Sequence, residues 1–428
     1  MILKRRIAVI VLACGPEIAE NGNAGLTGMC TGKKMTMKGA GRKSAGAVVA
    51  GGELNGLGVA RSLGAARVPF VLLDTHATKP AFATRFGKKC IVRALHGPEF
   101  VEDLLAVASR FSEKPVLILT EERSVVTVSS AREQLADAFH LTLPARSLTE
   151  DLLDKMRFQR LAERHGLSVP RAISFGKERR EDPLSNLRFP CVLKPTAKSA
   201  EYDRHFAKAY KVSAPSEVED LWSRMREVID ELIVQEWIEG ADSDVYFCLQ
   251  YRGSESPSCS FVGRKICQWP PLVGGTASCI PAPEAAAALI SATDKFFEAV
   301  GFFGIGSMEF KRDRRDGQFY AVEPTVGRTD YQEEIATLNG VNIPFAAYCG
   351  AFGQLPPPRG HVDPPAGWRD PFGYAKARLA GAPDPVVELN PRIDFYDAYF
   401  RASDPMPFLK LKLPGLKRRL RRHLITHG

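Results

Sequence analysis

Two acids set 14 residues apart, Glu309 in GIGSMEF and Glu323 in FYAVEPTVGRTDYQEE, are the residues of this chain best placed to do chemistry. Each follows an apolar, strand-like run, and the intervening KRDRRDGQ carries an Asp316-Gly317 turn signal. The spacing predicts adjacent antiparallel strands that bring the two carboxylates together. Like charges that close need a cation between them, or one must protonate. Hard oxygen donors with room for water and phosphate suit Mg2+. Two surface acids beside a basic hairpin is the plainer reading of the same residues.

Further positions carry modest signals. Lys194 ends the apolar run VLKP, and a lysine at the low-dielectric edge of a sheet costs free energy unless an anion meets it. An ordinary snorkelling lysine fits equally. Lys155 lies in TEDLLDKMRFQRLAERHGL, which reads as one helix, where a solvated face is the simpler account. ELIVQEWIEGADSD ends a strand in Gln235, Glu236, Trp237 and Ile238, turns at Gly240 and continues to Asp242. A backbone edge with an amide, an acid and an apolar wall suits an adenine ring, and a carboxylate just beyond could accept ribose hydroxyls. A polar strand end followed by a turn is the alternative.

The elements that must position these residues begin at Ala47. AVVAGGELNGLGVARSLGAARVPFVLLDT reads as strand, glycine turn, helix and strand, ending at Asp74, which argues for a parallel sheet. Gly51, Gly52, Gly56 and Gly58 give GGxxxGxG rather than GxGxxG, so a nicotinamide site with Asp74 on a ribose is only weakly signalled. From Phe189 the pattern changes to short, alternating strands around one helix, an α+β region of mainly antiparallel strands. A Pro-rich stretch, LPPPRGHVDPPAGW, reads as a linker.

The bulk numbers agree with a globular enzyme or binding protein. The 428 residues are 45% hydrophobic and 25% charged, enough for two or three domains with real cores. Nine cysteines without a CxxC pair read as buried reduced thiols rather than a disulfide framework or zinc site. No apolar run is long enough for a spanning helix. Residues 1–45 are expected to be a disordered or over-long extension, with translation starting at Met35 or Met37, rather than an export signal. The net charge of +9 is concentrated at the end: KLKLPGLKRRLRRHLITHG has no acid, and its leucines recur at helical spacing. A solvated or partly disordered tail, or a basic amphipathic helix on an anionic membrane surface or on nucleic acid, follows from that pattern.

The order of these features is what resembles the ATP-grasp superfamily, over about Ala47 to Gly350: a βαβ unit, a helix lysine, a strand Lys-Pro, Gln-Glu-Trp-Ile-x-Gly-x-Asp, and two acid-bearing strands. GRKICQWPPLVGGTAS and VEPTVGRTDYQEEIATLNGVNIP look most like its carboxylate–amine ligase branch. The resemblance implies an α/β and α+β chain, an ATP-grasp fold with an N-terminal Rossmann-like domain. Its expected parts are 46–145 for that domain, 146–352 for the ATP-grasp domain with a lid at about 185–240, and 353–428 for a linker and basic tail. It also implies that Lys155 and Lys194 hold ATP phosphates, that Gln235, Glu236, Trp237 and Ile238 line the adenine, and that Asp242 meets the ribose. Glu309 and Glu323 would ligate one or two Mg2+ ions, with Mn2+ as a substitute. Lys208, and Arg264 or Lys265, would neutralise phosphate charge.

Two departures stand out. Thr325 replaces the Asn usual two residues after the second acid, so it is a candidate metal ligand of shorter reach. The phosphate loop TAKSAEYDRHFAKAY has no glycine. Arg328 is the first candidate to grip a carboxylate or the transferring phosphate, since guanidinium pairs bidentately with either; an ion pair with Glu333 or Glu334 is its plainer role. The expected protein is a cytoplasmic ATP- and Mg2+-dependent ligase acting on small-molecule carboxylates and amines. Peripheral contact at the inner membrane face through 410–422 and homo-oligomerisation are left open, and no nucleic acid is expected. A non-catalytic nucleotide-binding regulator or scaffold, and an ATP-grasp carboxylase, are the alternatives.

Overall fold

The computed structural model describes residues 46–412 apart from 178–182, 197–199, 208, 254–258, 357, 359 and 383–391. The N-terminal extension, Lys208, part of the phosphate loop and the basic tail from 413 onward lie outside the described residues.

The chain first builds a parallel sheet. Its elements are β1 (Ala47–Ala50), α1 (Leu54–Ala65), β2 (Phe70–Asp74), β3 (Lys88–Ile91), α2 (Pro98–Ala108), β4 (Val116–Leu119), α3 (Glu122–Ser130), α4 (Arg132–Leu135) and β5 (His140–Leu141). The strand order is β3-β2-β1-β4-β5. AVVA, FVLLD and VLIL are wholly buried because helices cover both faces. Alternate residues divide between two cores: Val49, Leu72 and Ile118 on one side, Val48, Val71 and Leu117 on the other. The glycine pattern has a local cause. A Cβ on Gly56 would lie 1.9 Å from the Gly51 carbonyl oxygen, so the entry to α1 requires glycine there. Asp74 is fully buried and accepts the Gly52 N–H at 2.7 Å, which occupies the carboxylate a nicotinamide ribose would need.

The stretch read as one helix is two, α5 (Arg146–Leu153) and α6 (Lys155–Arg164). Asp154 between them is extended and caps α6 by accepting the Arg157 N–H at 2.8 Å. A four-stranded antiparallel sheet follows: β6 (Ala172–Gly176), β7 (Cys191–Pro195), α7 (Ala200–His205), β8 (Tyr210–Val212), α8 (Pro215–Met225) and β9 (Glu231–Glu236), in the order β6-β9-β7-β8.

The third sheet has seven strands. β10 (Val245–Arg252), β11 (Cys259–Trp269), β12 (Gly275–Pro281), α9 (Pro283–Ala299), β13 (Gly304–Arg312) and β14 (Phe319–Val326) are followed by α10 (Glu334–Leu338) and α11 (Ile343–Ala351). The region expected to be linker and tail from 353 is corrected by the structure. β15 (Ala366–Arg369), α12 (Pro371–Leu379) and β16 (Asp394–Asp397) complete the order β14-β13-β10-β11-β12-β15-β16. Trp368 is 1% exposed, and Asp370 caps α12 by accepting the Phe372 N–H at 3.0 Å. The prolines that suggested a linker flank these elements rather than interrupt them. Among the described residues no helix is long and apolar enough to cross a membrane.

Candidate active site

A cleft of about 470 Å³ lies between the four-stranded and seven-stranded sheets. Of the residues singled out in sequence, Lys155, Lys194, Gln235, Glu236, Trp237, Ile238, Lys265, Glu309, Glu323, Thr325 and Arg328 line it. An adjoining cavity of about 830 Å³ shares Lys155, Lys194, Gln235 and Glu323 and reaches the N-terminal domain at Glu121 and Arg123.

Backbone pleat explains the convergence. On β7 and β9, Val192 pairs with Gln235 and Lys194 with Ile233, so Lys194 reaches Gln235 diagonally and donates to its Oε1 at 3.0 Å. Gln235 Nε2 in turn donates to Gln159 Oε1 at 3.3 Å, which ties α6 to the strand. Splitting the helix at Asp154 starts α6 with Lys155, which places that lysine at the cleft rather than on a solvated face.

Glu309 and Glu323 are register partners across β13 and β14, inside the strands rather than at their ends, with a bulge just after Glu309. Lys265 Nζ lies 2.6 Å from Glu309 Oε2 and is 4% exposed, so a buried ammonium supplies one counter-charge. Among the described residues no three His, Cys, Asp or Glu side chains converge on a metal cage. Two opposed carboxylates fit a hard cation that keeps water and phosphate oxygens as its other ligands.

Several expectations are corrected. Asp242 is 8% exposed and does not line the cleft. It accepts the backbone N–H of Gln268 at 2.8 Å, Gln268 Nε2 at 3.0 Å and the Leu272 N–H at 2.8 Å, so it braces the 268–272 turn instead of facing a ribose. Arg264 points to the other face of β11 from Lys265, beside Tyr246 Oη at 3.4 Å and 3.9 Å from Glu284 of α9. Adjacent strand residues cannot both face the cleft. Thr325 Oγ1 donates to Asp330 Oδ1 at 2.6 Å, which directs the hydroxyl to a carboxylate. Arg328 donates to the Thr329 carbonyl at 3.0 Å; Glu334 pairs instead with Arg61 at 3.3 Å and Arg401 at 2.7 Å.

Residues the sequence reading passed over include Lys311 and Asp330. Lys311 shares the face of Glu309 by period two, a signal present in SMEFKR. Its Nζ sits 4.3 Å from the Trp237 ring centroid, with Lys211 at 4.5 Å over the same ring. Burial pulls the Lys311 ammonium below its ordinary range, against the pull of Asp242 and Asp244. Asp330 had no signal beyond its position two residues after Arg328. The loop carrying both is pinned to the N-terminal domain: Asn55 Nδ2 donates to the Thr120 and Thr329 carbonyls at 2.9 and 2.8 Å, and Arg328 bridges to Leu119.

Beneath this loop Glu333 is 2% exposed, and its Oε1 has no hydrogen-bond partner among the described residues. Burial first, and Asp330 second, push its carboxyl up to about 8. Because the folded state then holds a proton that the unfolded state releases at ordinary carboxylate pH, this group's contribution to stability falls as pH rises to about 8. Glu333→Gln is expected to flatten that fall and to melt higher than wild type at pH 8. Melting curves of both proteins between pH 5 and 8 check this; parallel curves would contradict it.

No family model matches the chain. Among solved structures it is similar to N5-carboxyaminoimidazole synthetase of Staphylococcus aureus complexed with ADP, at TM-score 0.57 and 15% identity, covering 73% of this chain and 79% of that one. It is also similar to the biotin carboxylase–β,γ-ATP complex of Campylobacter jejuni, at TM-score 0.59 and 15% identity, covering 73% and 72%. These likenesses show the fold, which is the ATP-grasp fold. Among curated proteins the chain is 26% identical over 334 residues to the D-aspartate ligase of Enterococcus faecium (strain Aus0004), covering 69% of this chain and 74% of that protein.

Proposed function

We propose that the cleft between the four-stranded and seven-stranded sheets binds ATP with its adenine along Gln235–Ile238 and its phosphates toward Lys155 and Lys194. The observation that carries this reading is the Glu309–Glu323 pair, set opposite each other in the same cleft as those lysines. Mg2+ would be held by Glu309 and Glu323 and would supply charge neutralisation for the phosphates when bound. Lys265, 2.6 Å from Glu309 Oε2, orients that carboxylate at the same place.

In the proposed reaction, a substrate carboxylate oxygen attacks the γ-phosphorus and ADP leaves, giving an acyl phosphate. An amine nitrogen then attacks the acyl carbon, the carbon–oxygen bond to phosphate breaks, and the amine loses a proton as the amide forms. Arg328 is the guanidinium in reach of the transferring group or the carboxylate. The second sheet shields the acyl phosphate from water. Likeness to a D-aspartate ligase supports an amino acid as the acid substrate.

The test is ADP release from ATP and Mg2+ across D- and L-amino acids, each with a panel of amines including amino sugars and small peptides. Formation of ADP that requires an acid substrate supports the ligase. ATP binding with no substrate-dependent ADP in any pairing would favour a nucleotide-binding regulator.

A further inference from the structure

Asp330 lines the cleft with Glu309, Glu323 and Arg328, yet the metal and phosphate roles leave it without a task. Its carboxylate is fixed from two strands. Ser307 Oγ donates to Oδ2 at 2.7 Å and Thr325 Oγ1 to Oδ1 at 2.6 Å, and Ser307 and Thr325 are themselves register partners on β13 and β14. Each carboxylate oxygen keeps further acceptor capacity after one hydroxyl bond. The side chain is 14% exposed, and Arg328 NH1 stands 3.8 Å from Oδ1, beyond hydrogen-bond range. An anion and a guanidinium thus lie side by side in the cleft without being closed on each other at that contact.

The absence of a three-acid cluster among the described residues separates Asp330 from the Glu309–Glu323 pair as a metal ligand. What remains is recognition of a cation, and the neighbouring guanidinium recognises an anion. We propose that Asp330 and Arg328 read a zwitterion: the acid substrate is an amino acid whose ammonium donates to Asp330 while a carboxylate faces Arg328. This rests on the ligase reading above and makes Asp330 a specificity-determining residue. Thr325 then has a role of its own, since its hydroxyl aims Asp330.

The experiment compares amino acids with the same acids lacking the amino group, in the full-length protein with ADP and Mg2+ present. The probes are D- and L-aspartate against succinate, and D- and L-alanine against propionate, with affinities measured by calorimetry. Wild type is expected to bind at least one amino acid on the order of 10- to 100-fold more tightly than its partner, the range of a charge-assisted hydrogen bond. Asp330→Asn should erase that margin by weakening the amino acid alone, with ADP affinity and melting temperature unchanged. Thr325→Val, which keeps the charge but removes one of its two hydroxyl donors, should erase it in part. A margin that survives Asp330→Asn overturns the proposal. So does a wild type that shows no margin in any pair; if ADP binding and carboxylate-dependent ADP formation persist in that case, the ligase reading stands without it. Loss of carboxylate-dependent turnover in wild type with every acid would overturn the ligase reading, and this proposal with it.

Discussion

Glu323→Ala is expected to lower substrate-dependent ADP formation by on the order of a thousand-fold or more, while leaving the protein folded. Phosphoryl transfer is catalysed by positioning and charge neutralisation, so on the reading proposed above, removing one of two opposed carboxylates would remove half of the protein's hold on the cation. Glu309 cannot compensate, because Lys265 at 2.6 Å already claims one of its oxygens. Any loss of stability should be small beside the loss of activity, because deleting one of two like charges across a strand pair also relieves repulsion where β13 meets β14. A coupled ADP assay at saturating ATP and Mg2+, run beside a melting curve, checks both halves. Activity within ten-fold of wild type would mean that the pair is not the metal site. A lost melting transition would show that Glu323 is structural instead.

What the sequence made legible follows from which forces are local. The approach of Glu309 and Glu323 needed only two apolar runs and an Asp-Gly turn, all between Gly304 and Glu323. The order strand, glycine turn, helix and strand between Ala47 and Asp74 likewise pointed to a parallel sheet. Asp242 misled because a carboxylate after a turn serves equally well as a ligand or as an acceptor for backbone N–H groups. Its partners, Gln268 and Leu272, come from a turn 26 to 30 residues on, and no local pattern announces their return. Arg264 and Lys265 were inseparable because both faces of β11 are covered, so apolar patterning does not mark the cleft side. Lys311, by contrast, was within reach of the period-two rule. Asp330 was not, since its place depends on hydroxyls of two strands and on Asn55 far up the chain. The C-terminal strands were hidden by composition: prolines between 356 and 365 outweighed a short AGWR strand whose tryptophan is the informative residue.

The second large effect concerns the segment those prolines concealed. Glu334→Ala is expected to cost about 3–5 kcal/mol of folding stability, the usual result of removing one partner from a buried ion pair. Glu334 is buried between Arg61 of α1, at 3.3 Å, and Arg401, at 2.7 Å. Arg61 also reaches Asp404 at 3.0 Å, and Asp404 accepts from the Thr84 hydroxyl at 2.7 Å and the Arg85 N–H at 3.0 Å. Two cations and two anions therefore balance across three parts of the chain that are remote in sequence. Without Glu334, Arg61 keeps Asp404 while Arg401 loses its carboxylate, and burial already pulls Arg401 below its ordinary range. Glu334→Gln should cost less, because the amide still accepts one hydrogen bond. Denaturant midpoints measured at low and high salt test the mechanism as well as the size. A buried network is screened little, so the loss should persist in high salt, whereas a surface pair would lose its effect. A loss under about 1 kcal/mol would mean that the 398–404 segment is held by packing of Ala398 and Tyr399 rather than by charge. In that case Arg61→Met and Glu334→Met together should be neutral, which the same titration would reveal.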